Sequence, residues 1–159
     1  MKIQMSYDEF KKICLDIAEK IKDENYTEIV AVSRGGISAS HIISKKLNLP
    51  VGYYIPSTRT CVLNIKKNDN TKICIIEDLV AQGRTYDLIQ EDFKNFNYDF
   101  IPILIDGKYN KNTFKYYGLY SNDWIVFPYE DFESMEENDR GLFRDGTDVY
   151  GKNKEIKWH

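Results

Sequence analysis

Histidine is nearly missing from this chain: His41 and His159 are the two imidazoles in 159 residues. That scarcity argues against a histidine-built zinc centre and against a Ser-His-Asp triad. Cysteine is sparse and odd in number, and Cys14, Cys61 and Cys74 lie far apart, outside any CxxC pair or metal-ligand spacing. A disulfide framework is therefore not expected, and the apolar neighbours of Cys14 and Cys74 predict buried, inert thiols. No apolar run approaches the roughly 18 residues that cross a bilayer, and no basic-then-apolar leader opens the chain, so the expectation is a cytoplasmic protein without membrane contact. Positive charge is not in excess either. Lysine plus arginine total 22 against 25 acids, for a net charge of −3, which argues against bulk nucleic-acid binding but leaves room for a local basic pocket around a phosphorylated ligand.

What is present suits an ordinary globular domain. The chain is 42% hydrophobic and 30% charged, long enough to bury most of its apolar surface without metals or cross-links. There is no internal repeat and no low-complexity linker. The expected division is one domain over 1–132, followed by a polar, glycine-dotted tail over 133–159 that is either packed on the domain or mobile. The four prolines beside twelve tyrosines and many lysines, asparagines and isoleucines match an AT-rich genome, such as that of some phages.

Hydrophobic spacing sorts the elements. Ser6 and Glu9 fit a capping box, and Phe10, Ile13, Cys14, Ile17 and Ile21 fall on one helical face behind it. Residues 28–32 form a short β-branched apolar run, the pattern of a strand buried on both faces. Ser33-Arg34-Gly35-Gly36 follows at once, and 37–47 reads as a helix. Further strands are expected at 51–55, 61–65 and 72–77, then a helix near 85–95 and a strand at 100–105. Pro102 inside that last strand predicts an edge or a bulge. Strands alternating with helices imply an α/β fold with a mostly parallel, twisted sheet flanked by helices.

In such sheets ligands bind outside the carboxyl ends of the strands. The strand at 72–77 delivers Glu77 and Asp78, and the turn after it offers Ala81, Gln82, Gly83, Arg84 and Thr85. A glycine there allows backbone N–H groups to converge on a phosphate, helped by the positive end of the next helix. The two carboxylates could accept from sugar hydroxyls or help to hold Mg²⁺. Taken alone, the same string could equally be two solvated acids and a capping threonine. Arg34 could likewise be a surface arginine, although two following glycines favour close backbone approach to a ligand.

Residues 75–85, IIEDLVAQGRT, resemble the phosphoribosyl-diphosphate (PRPP) signature of the type I phosphoribosyltransferases: an apolar run, two acids and a glycine-threonine loop. Residues 30–36, VAVSRGG, are similar to the pyrophosphate loop of that family, in particular of its bacterial xanthine-guanine branch. Residues 124–130, WIVFPYE, are similar to the late aromatic segment with which 6-oxopurine enzymes hold their base. The three matches occur in the family's order over about 28–131. The resemblance implies the type I phosphoribosyltransferase fold with a small hood, and Mg²⁺-dependent transfer of 5-phosphoribosyl from PRPP to a purine, a 6-oxopurine above all. It implies that Glu77 and Asp78 bind the ribose hydroxyls or the Mg²⁺–PRPP complex, and that residues 81–85 hold the 5′-phosphate. Ser33, Arg34 and Gly35 would bind pyrophosphate, with Arg34 and Asp78 as catalytic groups and a non-proline cis peptide at Ser33–Arg34. Trp124 would stack on the base beside Ile125, and Lys108 would donate to a 6-oxo group, with Asp106 competing for that aligned position. Arg59, Lys66 and Lys67 fall where the family carries its hood, although a solvated loop is the plainer reading. The expected partners are PRPP and a nucleobase, in a homodimer.

Two adjacent positions depart from the pattern. Ala81 and Gln82 stand where hypoxanthine- and xanthine-type enzymes carry aspartate and threonine, and alanine cannot meet the ring nitrogen that exchanges a proton. General-base help of that kind contributes typically ~10²–10⁴-fold. A second reading follows from this departure, a non-enzymatic module that binds PRPP or a nucleotide. The Arg34-Gly35 loop favours the enzyme, because a nucleotide sensor has no need to hold pyrophosphate.

Overall fold

The computed structural model describes residues 1–133 and 155–159. Among these residues nine strands and three α-helices follow in the order β1 (Lys2–Gln4), α1 (Tyr7–Ile21), β2 (Glu28–Val32), α2 (Ile37–Leu47), β3 (Val51–Ile55), β4 (Thr60–Val62), β5 (Lys72–Val80), α3 (Arg84–Asp92), β6 (Asn97–Asp106), β7 (Leu119–Ser121), β8 (Trp124–Val126) and β9 (Lys157–Trp158), with a 3-10 turn at Lys111–Thr113 between β6 and β7. Seven strands form one sheet in the order β7-β6-β5-β2-β3-β4-β9. Pairing is parallel throughout except for β3 against β4. The α/β class and its mostly parallel sheet are therefore present as expected. A separate two-stranded parallel sheet joins β1 to β8.

Alternation along the central strands feeds two apolar layers. Ile29, Cys74 and Ile76 pack with Phe10, Cys14, Ile17 and Ile21 of α1 and with Ala39 and Ile43 of α2. Val30, Ile73 and Ile75 pack on the other side with Ile89 of α3 and with Phe93, Phe100 and Phe114. This double coverage is why β2 is buried at every position and why its sequence reads as a continuous apolar run. All three cysteines are buried and free, and burial pushes the Cys14 and Cys61 thiols up to about 12.

Several elements differ from expectation in instructive ways. The strand expected at 72–77 runs on to Val80, so Glu77 and Asp78 lie inside β5 rather than beyond it. The strand expected at 61–65 shortens to Thr60–Val62, because Asn64 and Ile65 turn their N–H groups onto the Glu28 carboxylate at 2.9–3.1 Å. Pro102 is neither at an edge nor in a bulge: β6 lies between β5 and β7, and Pro102 stands opposite Glu77. Its carbonyl accepts from Gly118 at 3.0 Å, just before β7 begins. N–H and C=O of one residue point to the same side of a strand, so the missing donor faces the β7 side and costs the β5–β6 ladder nothing. Most of the tail expected over 133–159 lies outside the described residues. Its last residues form β9, which pairs with β4.

Candidate functional site

The candidate site forms at the carboxyl ends of β2 and β5, where two loops meet. The first loop begins with a cis peptide between Ser33 and Arg34, the geometry expected there. Gly36 then closes a tight turn onto the Val32 carbonyl at 2.8 Å and starts α2. A side chain at Gly35 would overlap the Asp78 carboxylate, and one at Gly36 would overlap the Ile76 carbonyl. These two glycines therefore let the first loop lie directly against β5. Arg34 is exposed at the edge of this contact.

Glu77 and Asp78 differ sharply in setting. Glu77 is buried, and its carboxylate accepts from the Asp78 N–H at 3.0 Å. Burial first, and the neighbouring Asp78 charge second, hold the Glu77 carboxyl well above the usual carboxylate range. Asp78 lies over Gly35 and accepts from the Tyr129 hydroxyl at 2.9 Å. The same hydroxyl is 3.4 Å from the Gly35 carbonyl oxygen. Burial first, and the Asp78 charge next, raise the Tyr129 phenol, which keeps it a donor.

Beyond Val80, residues 81–85 lead into α3. Gly83 has φ +76° and caps the helix without any side-chain bond. Thr85 lies within the helix and is not its cap, contrary to the plain reading of the string. The first N–H groups of α3 have no intrahelical partner and carry the positive end of the helix dipole, as a phosphate site requires. Gly83 is backed by Tyr109, whose ring would stand 2.7 Å from an added Cβ. The Tyr109 ring is itself stacked on Phe114.

The remaining expected residues are placed as follows. Trp124 begins β8, donates its backbone N–H to the Met1 carbonyl at 2.8 Å, and its ring lies beneath the Lys2 ammonium at 4.8 Å. Ile125 is buried in the first core layer. Lys108 is exposed in the turn after β6. Asp106 ends β6, and the pairing of Val80 with Ile105 puts it one step on, alongside Ala81. Arg59 departs from the plainer sequence reading. It is buried and paired with Asp92, whose carboxylate also accepts from the Tyr54 hydroxyl at 2.6 Å. A solvated loop does not describe it, and its pairing with Asp92 ties it to α3. Lys67 lies over the Phe96 ring at 4.6 Å.

Tyr129 escaped the sequence analysis as a site residue. Its partner is 51 positions away, so no local pattern marks the pair. The one available signal was its place in the aromatic segment, directly after Pro128.

Comparisons with known proteins bear on the fold and on what the chain is related to. No family model matches the chain. It is 25% identical over 119 residues to a xanthine-guanine phosphoribosyltransferase of Roseobacter denitrificans, covering 64% of this chain and 67% of that protein. It is 25% identical over 138 residues to a xanthine-guanine phosphoribosyltransferase of Idiomarina loihiensis, covering 79% and 85%. Among solved structures, a purine phosphoribosyltransferase from Pyrococcus horikoshii superposes with a TM-score of 0.72 at 21% identity, over 86% of this chain and 98% of that one. In sequence and in fold, the chain is similar to the type I purine phosphoribosyltransferases.

Proposed function

We propose that this chain transfers the 5-phosphoribosyl group of PRPP to a purine base, a 6-oxopurine above all, and releases pyrophosphate. The observation that carries this reading is the contact of Asp78 with Gly35. It brings the two acids of β5 and a glycine loop with an exposed arginine to one point, a few residues upstream of the start of α3 at Arg84. In the reaction the bond from the sugar C1 to the pyrophosphate oxygen breaks, with the electron pair leaving on pyrophosphate. A base nitrogen forms the new bond to C1 and gives up its proton. Arg34 would neutralise charge growing on the leaving group. Backbone N–H groups of 81–85 with the Thr85 hydroxyl would hold the 5′-phosphate, and Asp78 would accept from the ribose hydroxyls. Trp124 and Lys108 would face the base, with Asp106 next to Ala81 at the same end of the sheet.

The donor set fits Mg²⁺ brought in with the substrate. Among the described residues no cluster of three or more His, Cys, Asp or Glu side chains could form a protein cage. Mg²⁺ is commonly held by one or two carboxylates plus substrate oxygens; Asp78, half-buried, would supply one, while Glu77 is buried behind it with its carboxyl held toward the protonated form. Bound there, the ion would screen the diphosphate charge. Partners in this reading are PRPP, the base and a second copy of the chain, the last tested by sedimentation. No helix among the described residues is long and apolar enough to cross a membrane.

Pyrophosphate release from PRPP and Mg²⁺ over hypoxanthine, guanine, xanthine, adenine and orotate tests the reading, with Ala81→Asp in parallel. Turnover with a 6-oxopurine, raised by the aspartate, is expected. Turnover with adenine or orotate alone would overturn the acceptor. PRPP binding without any turnover would replace the enzyme by a regulatory module.

A further inference from the structure

The hydroxyl of Tyr129 is the feature of the site that the reaction outlined above leaves unused. Its ring is fixed from two sides. It stacks on Phe127 at 5.4 Å with the planes 4° apart and meets Phe10 edge-on at 5.7 Å. A tight turn fixes the backbone as well: Glu130 N–H donates to the Phe127 carbonyl at 3.0 Å, and Phe127 N–H donates to the Glu130 carboxylate at 2.8 Å. Pro128 occupies the second position of that turn, where its fixed φ belongs. The ring of Tyr129, a residue 44% exposed, is therefore set by Phe10, Phe127 and the turn as well as by its hydrogen-bond partner. Opposite it, the Asp78 carboxylate rests on Gly35, where no side chain could fit. The carboxylate is thus held between a bare backbone, the aimed Tyr129 donor and the neighbouring Glu77 carboxyl, with which its side chain also shares a hydrogen bond.

We propose that Tyr129 is a positioning residue for the PRPP subsite: its hydroxyl sets the rotamer of Asp78, so that the segment expected to hold the base also orders the carboxylate that receives the ribose. This rests on the function proposed above. It assigns to the 124–130 segment a role toward the donor substrate, distinct from any contact with the base.

Tyr129→Phe keeps the ring and its stacking and removes only the donor. A hydrogen bond to a charged acceptor contributes enough for its loss to weaken PRPP binding ~10-fold. The expected result is a ~10-fold rise in both the calorimetric Kd and the KM for PRPP with Mg²⁺, while kcat and the KM for the purine change less than about threefold. The melting temperature should stay near that of the unaltered protein. If the unaltered protein binds PRPP and Tyr129→Phe binds it equally well, the positioning role is refuted and the functional reading stands. If Tyr129→Phe melts far lower and all constants shift together, the hydroxyl holds the fold and not the carboxylate, and the proposal fails. If the unaltered protein binds no PRPP at all, the functional reading falls and takes this inference with it.

Discussion

At the scale of single residues, the site depends on what is absent at position 35. Gly35→Ala would drive a methyl group into the Asp78 carboxylate, and displacing a positioned group by about 1 Å can cost ~10²-fold in rate. The expected outcome is a loss of that order in kcat/KM for PRPP with a largely unchanged melting temperature. Activity within threefold of the unaltered protein would show that Asp78 is not the group in play. The sequence exposes the residues whose chemistry is contiguous. Glu77, Asp78, Gly83 and Arg84 fall in one string, and Ser33 to Gly36 in another. It hides those whose meaning comes from a distant partner. Glu28 reads as the first residue of an apolar strand, yet it is buried and accepts from Asn64 and Ile65, 36 and 37 positions on. Tyr129 is hidden for the same reason.

At the scale of elements, the long ones were legible and the short ones were not. The Ser6–Glu9 capping box and the apolar face of α1 are present as the spacing implies, and β2, α2 and β3 have the expected bounds. The three-residue strands β1, β7 and β8 and the two-residue β9 carry too few positions for a period to show. Pairing partners supply them: β8 follows from β1 and β9 from β4. The turn between β3 and β4 is tied to α3 by Arg59, whose side chain is 9% exposed, and Asp92, at 1%. Removing one partner of a buried ion pair leaves the other charge uncompensated. Arg59→Ala should therefore cost about 3–5 kcal/mol in urea unfolding, with Tyr54 left as the donor to Asp92. A cost below about 1 kcal/mol would mean that the pair does not stabilise the connection.

At the scale of the whole molecule, Glu24 joins three parts of the chain. Its carboxylate accepts from Lys72 at the start of β5, from Tyr116, and from Lys115 before β7. The Lys72 hydrogen bond, and then those of Tyr116 and Lys115, lower its pKa from 4.5 to about 2. A folded-state pKa below the unfolded one contributes stability that is fully present above 4.5 and is lost as pH falls toward about 2. Glu24→Gln should flatten the stability profile across that window, measured as melting temperature against pH. An identical slope in the variant would remove Glu24 from the account. These ties hold together a sheet whose carboxyl edge brings Gly35, Asp78 and Tyr129 into contact, and the central claim is that this edge carries out phosphoribosyl transfer. The most direct measurement is ³¹P NMR of the protein with Mg²⁺, PRPP and a 6-oxopurine. The account predicts that PRPP resonances give way to pyrophosphate and a nucleoside 5′-monophosphate in equal amounts. PRPP left intact, or pyrophosphate appearing without the nucleotide, would contradict it.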